Sequence, residues 1–149
     1  MSYDENIDDD FTGHKLLLVE DMKINREIVL MLLKSTHLEI ECAENGLQAV
    51  EMFMQEPNRY EIIFMDIHMP GMNGYETTRE IRQYENKLKN ASFKFYDPNH
   101  KPVPIIAMTA NTTKEDNEKG ESAGMNDHIG KPLDYELVVE KLRCHLRAN

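Results

Sequence analysis

The fold is decided by one stretch, Glu61-Ile62-Ile63-Phe64-Met65-Asp66-Ile67-His68-Met69-Pro70-Gly71-Met72-Asn73-Gly74. Its apolar run, from Ile62 to Met65, is too short for a helix and has no polar alternation, which is typical of a strand buried on both faces of a parallel sheet. The carboxyl ends of such strands lie at the edge where open α/β folds bind ligands. Asp66 is therefore a candidate reactive carboxylate, although Asp also often ends a strand or caps the following turn.

Length and composition narrow the class of protein. A chain of 149 residues, 40% hydrophobic and 30% charged, is the size and composition of one globular domain. It has no apolar run of the ~20 residues that a membrane span needs and no signal peptide, so we expect a cytoplasmic protein without direct membrane insertion. Cys42 and Cys144 are not clustered, and so suggest neither a zinc site nor a disulfide framework. The net charge of −10 argues against nucleic acid as a partner.

The chain opens with an acidic segment and continues with alternating elements. Residues 1–12 predict a flexible arm or linker remnant, and residues 13–149 a single domain. Strands are predicted at residues 15–19, 38–43, 62–65, 104–109 and 127–130, and helices at about 24–35, 47–55, 75–86, 113–123 and 135–147. Asn45 is the predicted N-cap of the second helix. The alternation implies parallel strands joined by right-handed crossovers, with helices on both faces.

That arrangement brings several polar side chains to one edge of the sheet: Glu20, Asp21, Asp66, Thr109 and Lys131. Neighbouring carboxylates repel one another unless a cation joins them, and hard oxygen ligands point to Mg²⁺. A lysine and a hydroxyl beside the metal suit a phosphoryl group, with one carboxylate as the nucleophile that forms an aspartyl phosphate. Taken singly, Lys131 could be a surface lysine and Thr109 an ordinary strand residue, but their shared position favours a site.

Four segments carry a resemblance to a known family. They are Leu17-Leu18-Val19-Glu20-Asp21, Met65 to Gly74, Ile106-Ala107-Met108-Thr109-Ala110 and Lys131-Pro132. Together they resemble the receiver domain of two-component response regulators, and the residues of these motifs are most similar to those of receivers in hybrid histidine kinases. The resemblance covers roughly Lys15 to the C-terminus. It implies a flavodoxin-like (βα)5 fold, a doubly wound parallel sheet of five strands in the order 2-1-3-4-5.

The resemblance also implies a role for each site residue. Asp66 would be the phosphoacceptor, taking a phosphoryl group from a phosphohistidine on a histidine kinase or a histidine phosphotransfer protein. Glu20 and Asp21 would form the acidic pair, with Asp21, Asp66 and the backbone carbonyl of His68 as Mg²⁺ ligands. Thr109 would move toward the phosphoryl group and act as a switch. Lys131 would pair with the phosphoryl oxygens, and the Lys131-Pro132 bond is expected to be cis.

Two features depart from the family pattern. The strand residue three before the lysine is usually aromatic in the family, but here it is His128. His128 would be either a neutral, hydrogen-bonded spacer or a pH-sensitive part of the switch. The second feature is an extended loop at about 83–103, with a short strand predicted at Phe93 to Tyr96. This loop would be either a family-specific insertion packed on its own aromatics or a partner-recognition element.

The first helix is unusually apolar. Ile28, Val29, Leu32 and Leu33 are expected to form its core-facing stripe, centred near Asn25. Ile24, Leu30 and Met31 fall outside that stripe and suggest a partner surface, unless the N-terminal arm covers them. In the family this helix and the loop after the last strand meet the histidine-bearing helices. The predicted partner surface is therefore Ile24, Met31 and Pro132.

Several alternatives remain open on the sequence. A degenerate receiver would bind partners without being phosphorylated. An aspartyl-phosphate phosphatase of the haloacid-dehalogenase class needs a second Asp where this chain has His68, and a flavin-binding flavodoxin needs a Ser/Thr/Gly-rich loop where it has Glu20-Asp21-Met22-Lys23. A receiver is not a metabolic enzyme, although it assists its own phosphorylation and dephosphorylation. We expect a stand-alone receiver or the terminal domain of a hybrid kinase, as a monomer or weak dimer.

Overall fold

The computed structural model describes residues 9–91, 101–110 and 112–146 of the chain. Within these ranges five strands alternate with five helices, as predicted. The strands are β1 (Lys15–Val19), β2 (Glu39–Ala43), β3 (Ile62–Asp66), β4 (Ile105–Thr109) and β5 (Asp127–Gly130). The helices are α1 (Lys23–Leu32), α2 (Gly46–Gln55), α3 (Gly74–Ala91), α4 (Lys114–Ala123) and α5 (Tyr135–His145), and a short 3-10 helix (Lys34–Thr36) follows α1.

The five strands form one parallel sheet in the order β2-β1-β3-β4-β5. Val19 pairs with Met65, and Asp66 pairs with Met108, so β1, β3 and β4 end at the same edge of the sheet. This order confirms the predicted flavodoxin-like fold. It places β3 at the centre and leaves β2 as a half-exposed edge strand.

Helices cover both faces of the sheet. On one face α1 and α5 pack against the alternate strand residues Leu16, Leu18, Ile62, Phe64, Ile106 and Met108. On the other face α2 and α3 pack against Leu17, Val19, Ile63, Met65, Ile105 and Ala107. Every residue of β3 is buried, which is why its sequence shows no polar alternation.

Side chains cap most of the helices at their first turns. Asn45 accepts a hydrogen bond from Gln48 N, as predicted, and Thr113 and Asp134 cap α4 and α5 in the same way. At the start of α3, Asn73 and Glu76 exchange reciprocal 2.9 Å hydrogen bonds, which form a capping box. Helix α1 differs, because its N-cap residue, Met22, makes no side-chain capping bond.

Helix α3 is longer than the sequence predicted. It continues past the expected end near Asn86 to Ala91. Two buried side chains explain the extension: Leu88 enters the core, and Glu85 accepts hydrogen bonds from Arg82 and from Val103 N. The predicted start of the loop at residue 83 is therefore wrong. The strand predicted at Phe93 to Tyr96 lies outside the described residues.

The end of the predicted N-terminal arm also needs correction. Phe11 is 6% exposed and packs in the core cluster formed by α1 and α5. Its backbone N–H donates to Thr36 O at 2.7 Å, and Asp9 contacts both Tyr135 and Arg143 of α5. Residues 9–12 thus belong to the folded domain, because one aromatic side chain outweighs the acidic composition around it. Residues 1–8 lie outside the described part of the chain.

Helix α1 is rotated relative to the prediction. Val29 and Leu33 face the core, but Ile28, expected beside them, is 51% exposed. Ile24 and Met31 are exposed as predicted, so Ile24, Ile28 and Met31 form one stripe at spacings of four and three. We call these three residues the α1 stripe.

Among the described residues, no helix is long and apolar enough to cross a bilayer.

Candidate phosphoryl-transfer site

The carboxyl ends of β1, β3 and β4 and the loop after β5 bring the predicted side chains together. Glu20, Asp21 and Asp66 each offer a carboxylate oxygen, and these three atoms lie within 4.8 Å of one another. Asp66 is 4% exposed and Glu20 is 2% exposed, while Asp21 is half-buried. The predicted juxtaposition of these three carboxylates is confirmed.

Lys131 completes this cluster from the loop after β5. Its Nζ lies 3.0 Å from Asp66 Oδ1 and 3.5 Å from Glu20 Oε1. Its backbone N–H donates to Thr109 O at 2.8 Å, so the ends of β4 and β5 hold the lysine at the site. The bond between Lys131 and Pro132 is cis, as predicted.

Burial and charge set the protonation of the two central groups. Burial, aided by the charges of Glu20 and Asp21, raises the pKa of Asp66 to about 6, although the hydrogen bond from Lys131 opposes the change. Burial also disfavours the ammonium of Lys131, but its interactions with Asp66 and Glu20 outweigh that effect and raise its pKa. At neutral pH the site therefore holds a cationic lysine and an ionised Asp66 whose charge is incompletely neutralised.

A close backbone approach fixes the loop that follows Asp66. Gly74 N donates to Ile67 O at 2.9 Å. A Cβ atom at Gly74 would overlap the carbonyl oxygen of Asp66 and would lie 2.8 Å from Ile67 Cα. A glycine is thus required where α3 begins. His68 follows Asp66 with an exposed side chain, and a metal-ligand role for its backbone carbonyl stays a prediction.

Thr109 and His128 line one cavity. Thr109 is buried at the end of β4, and His128 is half-buried on β5, where it pairs with Ala107. Both line a space of about 280 Å³ between the sheet and α4, together with Asp116 and Asn117. The structure therefore places the two predicted switch residues around a shared space, and their role as a switch stays a prediction.

A second cavity, of about 360 Å³, adjoins the site on the side of α1. Glu20 and Lys131 line it from the site, and Ile28, Pro132 and Leu133 supply an apolar wall. Pro132 is exposed, as a partner surface requires. Ile28, which the sequence assigned to the core, is thus the residue of the α1 stripe that lines this cavity beside the site.

Sequence reasoning missed two polar contacts to the acidic pair. Asn25 Nδ2 donates to Glu20 Oε2 at 3.2 Å. Arg26 Nη1 donates to the backbone oxygens of Glu20, at 2.9 Å, and Asp21, at 3.2 Å. The signal was the position of both residues in the helix that directly follows the acidic pair.

The fold and the site define a class: an open α/β domain with a buried carboxylate cluster and a lysine at the carboxyl edge of its sheet. Residues 16–143 match the family described as the response regulator receiver domain. The chain is 37% identical over 135 residues to hybrid signal transduction histidine kinase B of Dictyostelium discoideum, covering 89% of this chain and 7% of the kinase. The chain belongs to the response regulator receiver domain family.

Two solved structures show the same fold. The magnesium-bound receiver domain of a Pseudomonas aeruginosa sensor histidine kinase is 34% identical, with a TM-score of 0.74, covering 92% of this chain and 100% of that one. The receiver domain of Ssk1 from Saccharomyces cerevisiae, solved with the phosphotransfer protein Ypd1, is 28% identical. Its TM-score is 0.79, over 91% of this chain and 90% of that chain. The curated histidine kinases that the chain matches are much longer, and it spans 5% to 15% of their length.

Proposed function

We propose that this chain is the phosphoacceptor of a two-component phosphorelay and that Asp66 takes the phosphoryl group from a phosphohistidine. One observation carries the proposal: Asp66 is 4% exposed, and it lies 3.0 Å from Lys131 and within 4.8 Å of two further carboxylates. A carboxylate that only ended a strand would not need a half-buried lysine and two like charges beside it. Such crowding is typical of sites that bind a cation and a phosphoryl group.

The acidic cluster fits Mg²⁺. Its donors are hard carboxylate oxygens, and burial together with the charges of Glu20 and Asp21 raises the pKa of Asp66, so a bound cation would stabilise the ionised carboxylates. Glu20, Asp21 and Asp66 would hold the ion, with the His68 backbone carbonyl as a further ligand. When bound, Mg²⁺ neutralises charge on the phosphoryl oxygens.

The chain's own residues then account for the transfer. A carboxylate oxygen of Asp66 attacks phosphorus, the nitrogen–phosphorus bond of the phosphohistidine breaks, and the imidazole leaves. Lys131 offsets the negative charge of the transferring group, which adds to the carboxylate charges already present. Thr109, buried at the same edge, supplies a hydroxyl donor to the product and reports its presence as the switch. His128 shares the Thr109 cavity and takes part in that response.

The phosphodonor is a histidine kinase or a histidine phosphotransfer protein, and this chain acts in the cytoplasm, either as a stand-alone receiver or as the receiver module of a hybrid histidine kinase, including one whose sensor is bound to a membrane. The receiver of Ssk1 was solved with such a phosphotransfer protein, and the curated relatives are histidine kinases. The exposed α1 stripe and Pro132 are the proposed docking surface. A monomer or weak dimer stays the expected oligomeric state.

The test is intact mass after incubation with acetyl phosphate and Mg²⁺. The wild type should gain about 80 Da, the mass of one transferred phosphoryl group, and Asp66→Asn should gain nothing. Asp127→Asn is the matched control, because Asp127 is also a partly buried strand residue paired with a lysine, Lys141. A mass gain in Asp66→Asn would place the acceptor elsewhere. Absence of any gain in the wild type would favour a degenerate receiver.

A further inference from the structure

Helix α1 sends two side chains back onto the turn that carries the acidic pair. Arg26 Nη1 donates to two backbone oxygens, Glu20 O at 2.9 Å and Asp21 O at 3.2 Å. Asn25 Nδ2 donates to Glu20 Oε2 at 3.2 Å, and Met22 N donates to the same oxygen at 3.2 Å. The turn from Glu20 to Met22 is thus bonded to the first turns of α1.

These bonds replace an ordinary helix cap. Met22 is extended and provides no side-chain cap, so the orphan N–H groups of α1 depend on other partners. The side chain of Glu20 satisfies one of them, the N–H of Met22. These hydrogen bonds therefore tie the start of the helix to the acidic pair.

The chemistry of the Arg26 contact matters for a metal site. A guanidinium could bind the carboxylates directly, but it would then compete with a cation for their oxygens. Arg26 instead binds the carbonyl oxygens of Glu20 and Asp21, and its own side chain is only 15% exposed. Its second nitrogen, Nη2, lies 3.9 Å from Glu44 Oε2, so the guanidinium holds the backbone of the acidic pair and leaves the Asp21 carboxylate available.

We propose that Arg26, assisted by Asn25, is a positioning residue for the metal site. It holds Glu20 and Asp21 against their mutual repulsion in the arrangement that binds Mg²⁺. This inference rests on the proposed function, because it assigns residues outside the acidic cluster to the same site. Outer contacts that orient metal ligands typically change affinity by ten- to a hundredfold. The expected effect is on Mg²⁺ affinity rather than on the chemical step.

The experiment is a Mg²⁺ titration by calorimetry of the wild type, Arg26→Met, Arg26→Lys and Lys23→Met. Arg26→Met keeps the apolar stem and removes the donors, so its dissociation constant should rise about tenfold. Arg26→Lys keeps the charge but has a shorter reach, so its dissociation constant for Mg²⁺ should lie between those of the wild type and Arg26→Met. Lys23→Met removes an equal charge from an exposed position on the same helix, and should stay within about twofold of wild type. At saturating Mg²⁺, Arg26→Met should accept phosphoryl from acetyl phosphate at close to the wild-type rate.

Two outcomes would overturn the inference. The first is an unchanged dissociation constant in Arg26→Met, even with lower stability in urea, since that result would make Arg26 merely structural. The second is an equal loss in Lys23→Met, which would make the effect one of net charge. If Arg26→Met does not fold, Asn25→Ala carries the same expectation at about tenfold, the lower end of the effect of one hydrogen bond to a charged group. If the wild type itself binds no Mg²⁺, the proposed function fails and this inference falls with it.

Discussion

At the scale of the residue, Asp66 is where burial and charge conflict most strongly. Its carboxylate is almost fully covered, faces two further carboxylates and has one lysine to offset them. Folding therefore favours the protonated acid, and its pKa rises from 3.8 to about 6. An acid with a raised pKa stabilises the fold fully below its unfolded pKa and loses that contribution as pH rises through its folded pKa. Above about pH 6 the charge of Asp66 thus opposes folding in the absence of a cation.

We expect Asp66→Asn to be more stable than wild type at pH 7.5 in a metal chelator. The amide stays neutral, so the gain should be about 1 to 2 kcal/mol after allowance for solvent screening, and should vanish near pH 4. Urea unfolding at both pH values measures it. Asp127→Asn should instead be less stable than wild type at pH 7.5. Burial opposes ionisation of Asp127, but hydrogen bonds from Lys141 and His145 outweigh it and lower its pKa. The charge of Asp127 therefore stabilises the fold at pH 7.5, and that stabilisation is lost in acid. A loss of stability in Asp66→Asn at pH 7.5 would contradict the charge conflict.

Added Mg²⁺ should stabilise the wild type. Ten- to a hundredfold excess over the dissociation constant should raise the melting temperature by about 3 to 8 °C for a domain of this size. Asp21→Ala should lose most of that increase because it removes a ligand. Glu27→Ala, which removes an exposed acid from α1, should keep it. An equal increase in all three proteins would point to general screening of charge, and would remove the metal from the site.

At the scale of the element, local sequence determined the strands and the edge of the site. Lys15–Val19 and Asp127–Gly130 have the predicted bounds, because short apolar runs between polar turns leave little choice. The carboxylates and Lys131 lie close together because the carboxyl ends of parallel strands share one edge of the sheet. The alternation of strands and helices along the sequence is enough to predict that arrangement. Helix α1 has apolar residues on its buried side, at Val29, and on its exposed side, in the α1 stripe. The apolar pattern therefore could not show which side faces the core, and Ile28 was placed there. The contacts of Arg26 depend on that rotation, so the sequence places Arg26 close to the acidic pair but does not specify which atoms it binds.

The exposed α1 stripe is where we expect a protein phosphodonor to dock. Ile24 and Met31 are 59% and 78% exposed, and Ile28, the third residue of the stripe, lines the cavity beside the site. Changing both to Asp should slow transfer from a histidine phosphotransfer protein by about tenfold or more at subsaturating donor, because buried apolar contacts dominate such interfaces. Phosphorylation by acetyl phosphate needs no docking and should not change. Both rates are measured from the accumulation of phosphorylated protein.

A matched control exists on α2. Leu47 and Met54 are also exposed and also seven residues apart, so changing both to Asp makes the same chemical change on another helix. That variant should accept phosphoryl from both donors at wild-type rates. If it slows protein-to-protein transfer as much as the α1 variant does, the docking surface is not on α1. If the α1 variant also slows acetyl phosphate, its two side chains are structural.

At the scale of the whole molecule, the start of the described chain is bonded to its closing helix. Asp9 Oδ1 lies 2.7 Å from Arg143 Nη2, and Asp9 Oδ2 accepts a hydrogen bond from Tyr135. Phe11 fills the space between α1 and α5 that these bonds enclose. The acidic composition of residues 1–12 concealed this contact, because tertiary packing of one aromatic ring leaves no periodic signal in the sequence. The stability that this contact contributes comes mainly from burial of the Phe11 ring rather than from the ion pair between Asp9 and Arg143.

Phe11→Ala should therefore destabilise the domain by about 3 to 4 kcal/mol, the usual effect of truncating a buried Phe. Asp9→Asn should change stability by less than about 1 kcal/mol, since the amide oxygen can still accept the hydrogen bond from Tyr135 and the lost ion pair has a half-exposed arginine. Met31→Ala is the control for loss of an exposed apolar side chain and should lie within about 0.5 kcal/mol of wild type. Urea unfolding gives all three values. Because Phe11 is remote from the carboxylates, the folded Phe11→Ala protein should still gain one phosphoryl group on Asp66. If Phe11→Ala lowers the free energy of unfolding by less than about 1 kcal/mol, residues 9–12 are a flexible arm, as their composition predicted. If it lowers that free energy by the expected 3 to 4 kcal/mol and Asp66 is still phosphorylated, residues 9–12 serve the fold and not the site.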